Sequence, residues 1–160
     1  HEWFQLYLNG THISNAGAKE YDVAKKKISE NVEKIHNSIS LLLENLNLKM
    51  TDCFVMGFSQ GGMMAFELGQ ILQNQLAGLA IISSRIISKE HKPNNAFLKT
   101  PIFISHGAQD TVLPISNYNE SLEVLKKYNY NYENYLIESD EHTMSQETIA
   151  FFQNFIKKNI

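Results

Sequence analysis

The sequence predicts an α/β protein, a mostly parallel sheet with helices on both faces, and three observations carry that prediction. Short, nearly continuous apolar runs recur at Cys53-Phe54-Val55-Met56 with Phe58, at Leu79-Ala80-Ile81-Ile82 and at Pro101-Ile102-Phe103-Ile104-Ser105, which is how strands covered on both faces read. Between and after them, apolar residues repeat three and four positions apart, the spacing of one helical face. Strand and helix alternate instead of clustering, so the strands run parallel and each connection returns over the sheet.

The 160 residues, 43% of them hydrophobic, suit one domain spanning 1–160 with a substantial core. Trp3-Phe4-Gln5-Leu6-Tyr7-Leu8 is aromatic and apolar but has no period that assigns it to helix or strand, and Asn9-Gly10 after it signals a turn. From about Lys19 to Leu46, the residues Ile28, Val32, Ile35, Ile39, Leu42 and Leu46 mark one face of a long helix. That face broadens at Leu41-Leu42-Leu43, which favours packing on a sheet over a coiled coil. The run at Cys53 is the first buried strand, and Met63, Met64, Phe66, Leu68, Ile71 and Leu72 mark the helix after it.

Leu79 to Ile82 is the second strand, ending in Ser83-Ser84, and residues 85–99 read as an irregular excursion through Lys92-Pro93-Asn94-Asn95. The third strand, Pro101 to Ser105, runs into His106-Gly107-Ala108-Gln109-Asp110. Pro114 suits the opening of a helix that contains Leu122, Val124 and Leu125 and stops before Asn129. Tyr132 to Ile137 is the fourth strand, and a last helix from about Ser145 to Lys157 turns Ile149, Phe152, Phe155 and Ile156 inward.

The chain is organised around Gly57-Phe58-Ser59-Gln60-Gly61-Gly62, which has the Gly-x-Ser-x-Gly form of a nucleophile elbow. A strand precedes it and a helix follows, so Ser59 falls on a sharp turn where side chains two residues to either side would collide. Gly57 and Gly61 supply the missing bulk. An ordinary Gly-Ser turn in a βα unit has the same five letters, and the flanking elements are what favour the elbow.

Active groups in open parallel sheets gather beyond the carboxyl ends of the strands. Ser59 follows the first strand, Asp110 the third and His142 the fourth, and Ser, Asp, His is the chain order of an α/β-hydrolase triad. A serine hydroxyl is a weak nucleophile at neutral pH, so an imidazole must take its proton, and a carboxylate behind the ring fixes the tautomer. The backbone N–H of Gln60 is an oxyanion donor, a role indifferent to its side chain. Asp140 and Glu141 compete with Asp110 as orienting acid but are too close to His142 in sequence to reach behind its ring. His106 is assigned to shaping its loop.

Charge and composition exclude other classes. The net charge is −3, the lysines are scattered and Arg85 is the one arginine, so no nucleic-acid surface is expected. Cys53 alone forms no internal disulfide and fits a reducing, cytoplasmic setting. No apolar stretch nears the roughly 20 residues of a transmembrane span. His12, His36, His91 and His106 share no metal-ligand spacing, and neither a phosphate loop nor a dinucleotide fingerprint occurs, so no metal and no cofactor are expected.

With these residues in place, the sequence resembles the phospholipase/carboxylesterase family of α/β-hydrolases, whose best-known members are acyl-protein thioesterases. The likeness rests on Gly57 to Gly62, on His106-Gly107-Ala108-Gln109-Asp110-Thr111-Val112-Leu113-Pro114, and on His142 with Glu147 behind it; Trp3-Phe4 adds to it. The resemblance implies an α/β-hydrolase fold and hydrolysis of ester or thioester bonds to a fatty acyl group by Ser59, Asp110 and His142. It also implies that Val112 lies near an acyl channel and binds substrate. Two departures stand out. Glu141 replaces the glycine usual before the histidine, and the strands and His-Gly loop that normally open the family fold do not precede Trp3.

The expectation is therefore a C-terminal part of a longer hydrolase with its N-terminal strands missing, weakly active alone. Its elbow strand would form an apolar edge open to a second copy or to an N-terminal piece. The rival reading is a noncatalytic hydrolase-like module used for binding or assembly.

Overall fold

The computed structural model describes residues 2–5, 7, 8, 11, 12 and 18–160. Two short strands, β1 (Tyr7–Leu8) and β2 (Thr11–His12), pair antiparallel ahead of the main sheet. The expected turn at Asn9-Gly10 lies outside the described residues. The long helix α1 (Ala18–Leu46) follows, then a short 3-10 turn (Met50–Asp52), β3 (Phe54–Phe58), α2 (Gln60–Ile71) and β4 (Gly78–Ile82). The chain continues through α3 (Asn95–Lys99), β5 (Ile102–Gly107), α4 (Ile115–Lys127), β6 (Tyr132–Ile137) and α5 (Gln146–Lys158).

The four long strands lie in the order β3-β4-β5-β6, all parallel. Strands added in one direction through crossovers of one hand put their connecting helices on one face. Accordingly, Leu79, Ile81, Ile102 and Ile104 share a core with α1, α2, α3 and α4, represented by Val32, Phe66, Phe97 and Leu125. The alternate residues Ala80, Ile82 and Phe103 face the other way and pack with Phe155 of α5, as the two-residue period of a strand requires. Helices cover both faces, but unequally.

Local signals set the ends of these elements. Pro114 occupies the N-cap of α4, and the Ser145 hydroxyl accepts the Thr148 N–H to cap α5. The stretch expected to be irregular holds the short helix α3, capped by Asn94 accepting from the Phe97 N–H. β5 runs two residues beyond Ser105, because β6 keeps pairing with it up to Gly107 opposite Ile137.

Two expectations about burial need correction. Along α1, Ala24, Ile28, Val32 and Leu43 are buried with Ile35 and Ile39 against the core, whereas Leu42 and Leu46 are exposed. Leu46 lies five whole turns from Ile28 and shares its face, but the core does not reach that far along the helix: residues 44–49 are all exposed, and Leu43 is the last residue of α1 to be buried. In β3, Met56 and Phe58 are partly exposed, because this strand borders the described sheet while β4 and β5 are buried along their whole length.

Candidate active site

The turn after β3 holds Ser59 at φ 53°, ψ −122°, a left-handed conformation that non-glycine residues occupy only when their surroundings enforce it. Here the Ser59 N–H donates to the Ile82 carbonyl at 2.9 Å, and its own carbonyl accepts the Gly62 N–H at 3.0 Å. A Cβ on Gly57 would stand 2.1 Å from the Gly61 carbonyl oxygen, so glycine is obligatory there. Gly61 departs from expectation: a Cβ there would meet nothing within 4 Å. The tight second position is Gly62, whose Cβ would come 2.6 Å from that of Ser84.

Ser59 makes no capping bond to its own helix, which leaves the hydroxyl for a partner across the sheet end. His142, in the stretch between β6 and α5, brings Nε2 to 2.9 Å from Ser59 Oγ and Nδ1 to 2.7 Å from Asp110 Oδ2. A carboxylate only accepts, so Nδ1 carries the proton and Nε2 presents its lone pair to the serine. The Asp110 side chain is fully buried. Its other oxygen, Oδ1, accepts the N–H groups of Val112 at 2.9 Å and Leu113 at 2.8 Å. Three donors, two backbone amides and one ring N–H, thereby converge on one carboxyl group.

His106 is buried at the end of β5 and stacks on Tyr118. Its Nε2–H donates to the Leu113 carbonyl at 2.8 Å and lies 3.5 Å from Asp110 Oδ2. Burial holds its pKa below the usual histidine value, against smaller opposing contributions from the Leu113 carbonyl and Asp110. Asp140 is also buried but faces Thr148, with Oδ2 3.5 Å from the hydroxyl. Glu141 is exposed. Among the described residues, no cluster of histidine, cysteine, aspartate or glutamate could hold a metal ion.

A sequence profile of the Phospholipase/Carboxylesterase family matches residues 2–160. The chain belongs to that family. Among its relatives, acyl-protein thioesterase 1 of Debaryomyces hansenii is 24% identical over 162 aligned positions, covering 94% of this chain and 70% of the relative. Acyl-protein thioesterase 1 of Gibberella zeae is 29% identical over 163, covering 99% and 68%. Solved structures agree on the fold. Arabidopsis thaliana SOBER1 superposes with a TM-score of 0.81 at 22% identity, covering 99% of this chain and 73% of its own. Esterase PE8 gives 0.82 at 22%, covering 100% and 71%. The fold is the α/β-hydrolase fold, and family membership makes the chain a hydrolase of the carboxylesterase and thioesterase type. No helix among the described residues is long and apolar enough to cross a membrane.

In this family member the Gln60 side chain has a role of its own, separate from that expected of its backbone N–H. Its Oε1 accepts the Trp3 N–H at 2.8 Å and its Nε2 donates to the Phe4 carbonyl at 2.7 Å. Asn31 of α1 donates to the Trp3 carbonyl, and Phe4 is buried in the core. The segment before α1 is thus fastened to the residue after Ser59. The signal available in the sequence was the pairing of Trp3-Phe4 with the elbow as two separate features of one likeness. The Gln60 backbone N–H lies in the first turn of α2, where helix amides lack intrahelical acceptors. Val112 is exposed beside the amide that binds Asp110.

Proposed function

We propose that the chain is a serine hydrolase that cleaves carboxylic ester or thioester bonds of acyl substrates through an acyl-enzyme on Ser59. The observation that carries this reading is the unbroken relay from Ser59 Oγ through His142 to Asp110, with contacts of 2.9 and 2.7 Å. As Ser59 Oγ bonds to the acyl carbon, its proton passes to His142 Nε2, and Asp110 stabilises the imidazolium through the Nδ1–H bond. The carbonyl oxygen gains the negative charge and takes a hydrogen bond from the Gln60 N–H at the start of α2. Collapse breaks the bond to the alcohol or thiol, which leaves with the proton from His142. A water molecule then gives its proton to His142 and attacks the acyl-serine, releasing the carboxylic acid and restoring Ser59.

Names of the relatives favour acyl groups carried on protein thioesters, and Val112 is assigned to the surface that meets the acyl chain. All 160 residues act as one hydrolase domain, in the cytoplasm. Glu141, which spoke for a noncatalytic module, is exposed, and both ring nitrogens of His142 are engaged elsewhere. The test is labelling of the full-length protein with a fluorophosphonate probe beside Ser59→Ala. Labelling of the wild type alone is expected; an unlabelled, folded wild type would overturn the reading.

A further inference from the structure

Of the four strands, β4 lies at the centre of the site yet supplies no member of the relay. Its carboxyl end instead touches both halves. The last strand residue, Ile82, receives the Ser59 N–H at 2.9 Å. Ser84, two residues on, donates its hydroxyl to the Ser59 carbonyl at 2.5 Å. Between them Ser83 donates its hydroxyl to the carbonyl of Thr143, the residue after His142, at 3.0 Å. The Ser83 N–H donates to the Ser105 carbonyl at 2.9 Å, fixing the same point to β5. Both serines are buried, at 1% exposure each. Neither belongs to the elbow pattern or to the Ser, Asp, His order.

We propose that Ser83 is a positioning residue for His142: its hydroxyl fastens the loop that carries the imidazole to the strand end that fastens the nucleophile. Three features support it. First, the loop around His142 has no repeating backbone ladder of its own. Ahead of the histidine the Asp140 carbonyl accepts the Gln109 N–H, and after it the Thr143 N–H turns back to the Glu141 carbonyl. The Ser83 hydroxyl adds a tie from the sheet to the residue directly after the histidine.

Second, Ser83 sits at φ 43°, a conformation strained for a residue with a Cβ. A glycine would relieve that strain and could not make the bond. The strain falls where two adjacent side chains engage two separate segments, at Ser59 and at Thr143. Third, the Ser83 side of the bond is buried, so the hydroxyl has little solvent to bond in place of the Thr143 carbonyl.

This inference rests on the hydrolase reading for its kinetic consequences but not for its geometry, and the experiment separates the two. Ser83→Gly in the full-length protein removes the hydroxyl where glycine is conformationally at ease. The expected result is a fall in kcat on an activated acyl ester of about 10-fold or more, because small displacements of a reacting group are costly. KM and the midpoint of thermal unfolding stay unchanged. Ser83→Ala, which keeps the Cβ, gives the same kinetic loss and serves where the glycine variant folds poorly.

A second readout needs no turnover. The His142 Nδ1 proton, held by Asp110, gives a far-downfield proton resonance that broadens in Ser83→Gly as the ring gains freedom. Wild-type kcat with an unchanged resonance in both variants overturns the proposal. So does a kinetic loss that only tracks lost stability, since that describes a scaffold residue. A wild type without turnover whose resonance still broadens in Ser83→Gly refutes the hydrolase reading and leaves the positioning role standing.

Discussion

Ser59 and His142 arrive at the same point from differently built surroundings. Ser59 lies between a strand and a helix, its backbone bonded to β4 and to its own helix, with Gly57 pressed against Gly61. His142 lies in irregular chain between β6 and α5, and its ring is held by side chains, Asp110 behind it and Ser59 in front. The nucleophile is thus placed by regular secondary structure, and the base by side-chain contacts to residues at the ends of other strands. Damage to the first region should show as lost folding. Damage to the second should show as lost rate in a folded protein.

The sharpest way to break this comparison is Gly57→Ala. The new Cβ would sit 2.1 Å from one backbone atom and 2.4 Å from another, both in the turn and helix that form the elbow. Neither can yield without opening β3 against α2, so destabilisation of at least about 3 kcal/mol, the upper end for overpacking, is expected in chemical unfolding. An alanine variant with wild-type stability would mean that the elbow is as pliable as the loop. Asp110→Asn is the counterpart on the histidine side. An amide facing Nδ1 moves the ring proton to Nε2, and kcat should drop about 10³- to 10⁴-fold while the unfolding transition moves little.

Gly107→Ala tests the loop with the same kind of insult used on the elbow. Its Cβ would stand 2.2 Å from the Asp140 carbonyl oxygen and 2.4 Å from that of Glu141, but these atoms belong to the irregular stretch and can retreat. We expect a stability loss of about 1–2 kcal/mol, with a fall in kcat on the order of 100-fold as His142 is carried away.

Acid should act in the same graded way. Burial lowers the pKa of His106 and of His91, so the folded chain binds fewer protons than the unfolded one once pH falls below about 6.5. Stability should therefore hold above that value and decline below it. Thermal unfolding followed from pH 8 to pH 5 checks the sign, and His91→Gln should flatten part of the decline. The smallest effect belongs to Gly61→Ala. With nothing within 4 Å of the new Cβ, and alanine favoured over glycine inside a helix, stability should be unchanged or higher by up to about 1 kcal/mol.

Much of the fold could be read from the chain because strong periods and clear punctuation coincide. β6 begins and ends where its apolar and aromatic run does, after Asn129 and Asn131, and α5 starts at a serine that caps it. The pair β1 and β2 escaped notice because two-residue strands hold no period to recognise. Leu42 and Leu46 are exposed because a repeating face does not tell where along a 29-residue helix the core stops, and here it stops at Leu43. At the site, Ser59, Asp110 and His142 were marked by chain order and strand ends. Gly61, the Gln60 side chain and the Ser83-Ser84 pair were not legible, since each depends on which distant atoms stand opposite, and that is fixed only by the assembled sheet.

One tether described above also has a practical consequence. Trp3 is the sole tryptophan of the chain, and its backbone N–H is bonded to the side chain of Gln60. The tryptophan emission of this chain thus comes from a single exposed indole whose backbone is moored to the neighbour of the nucleophile. Following that emission after rapid mixing with an activated ester tests whether events at Ser59 are felt at the tether, without attaching a dye.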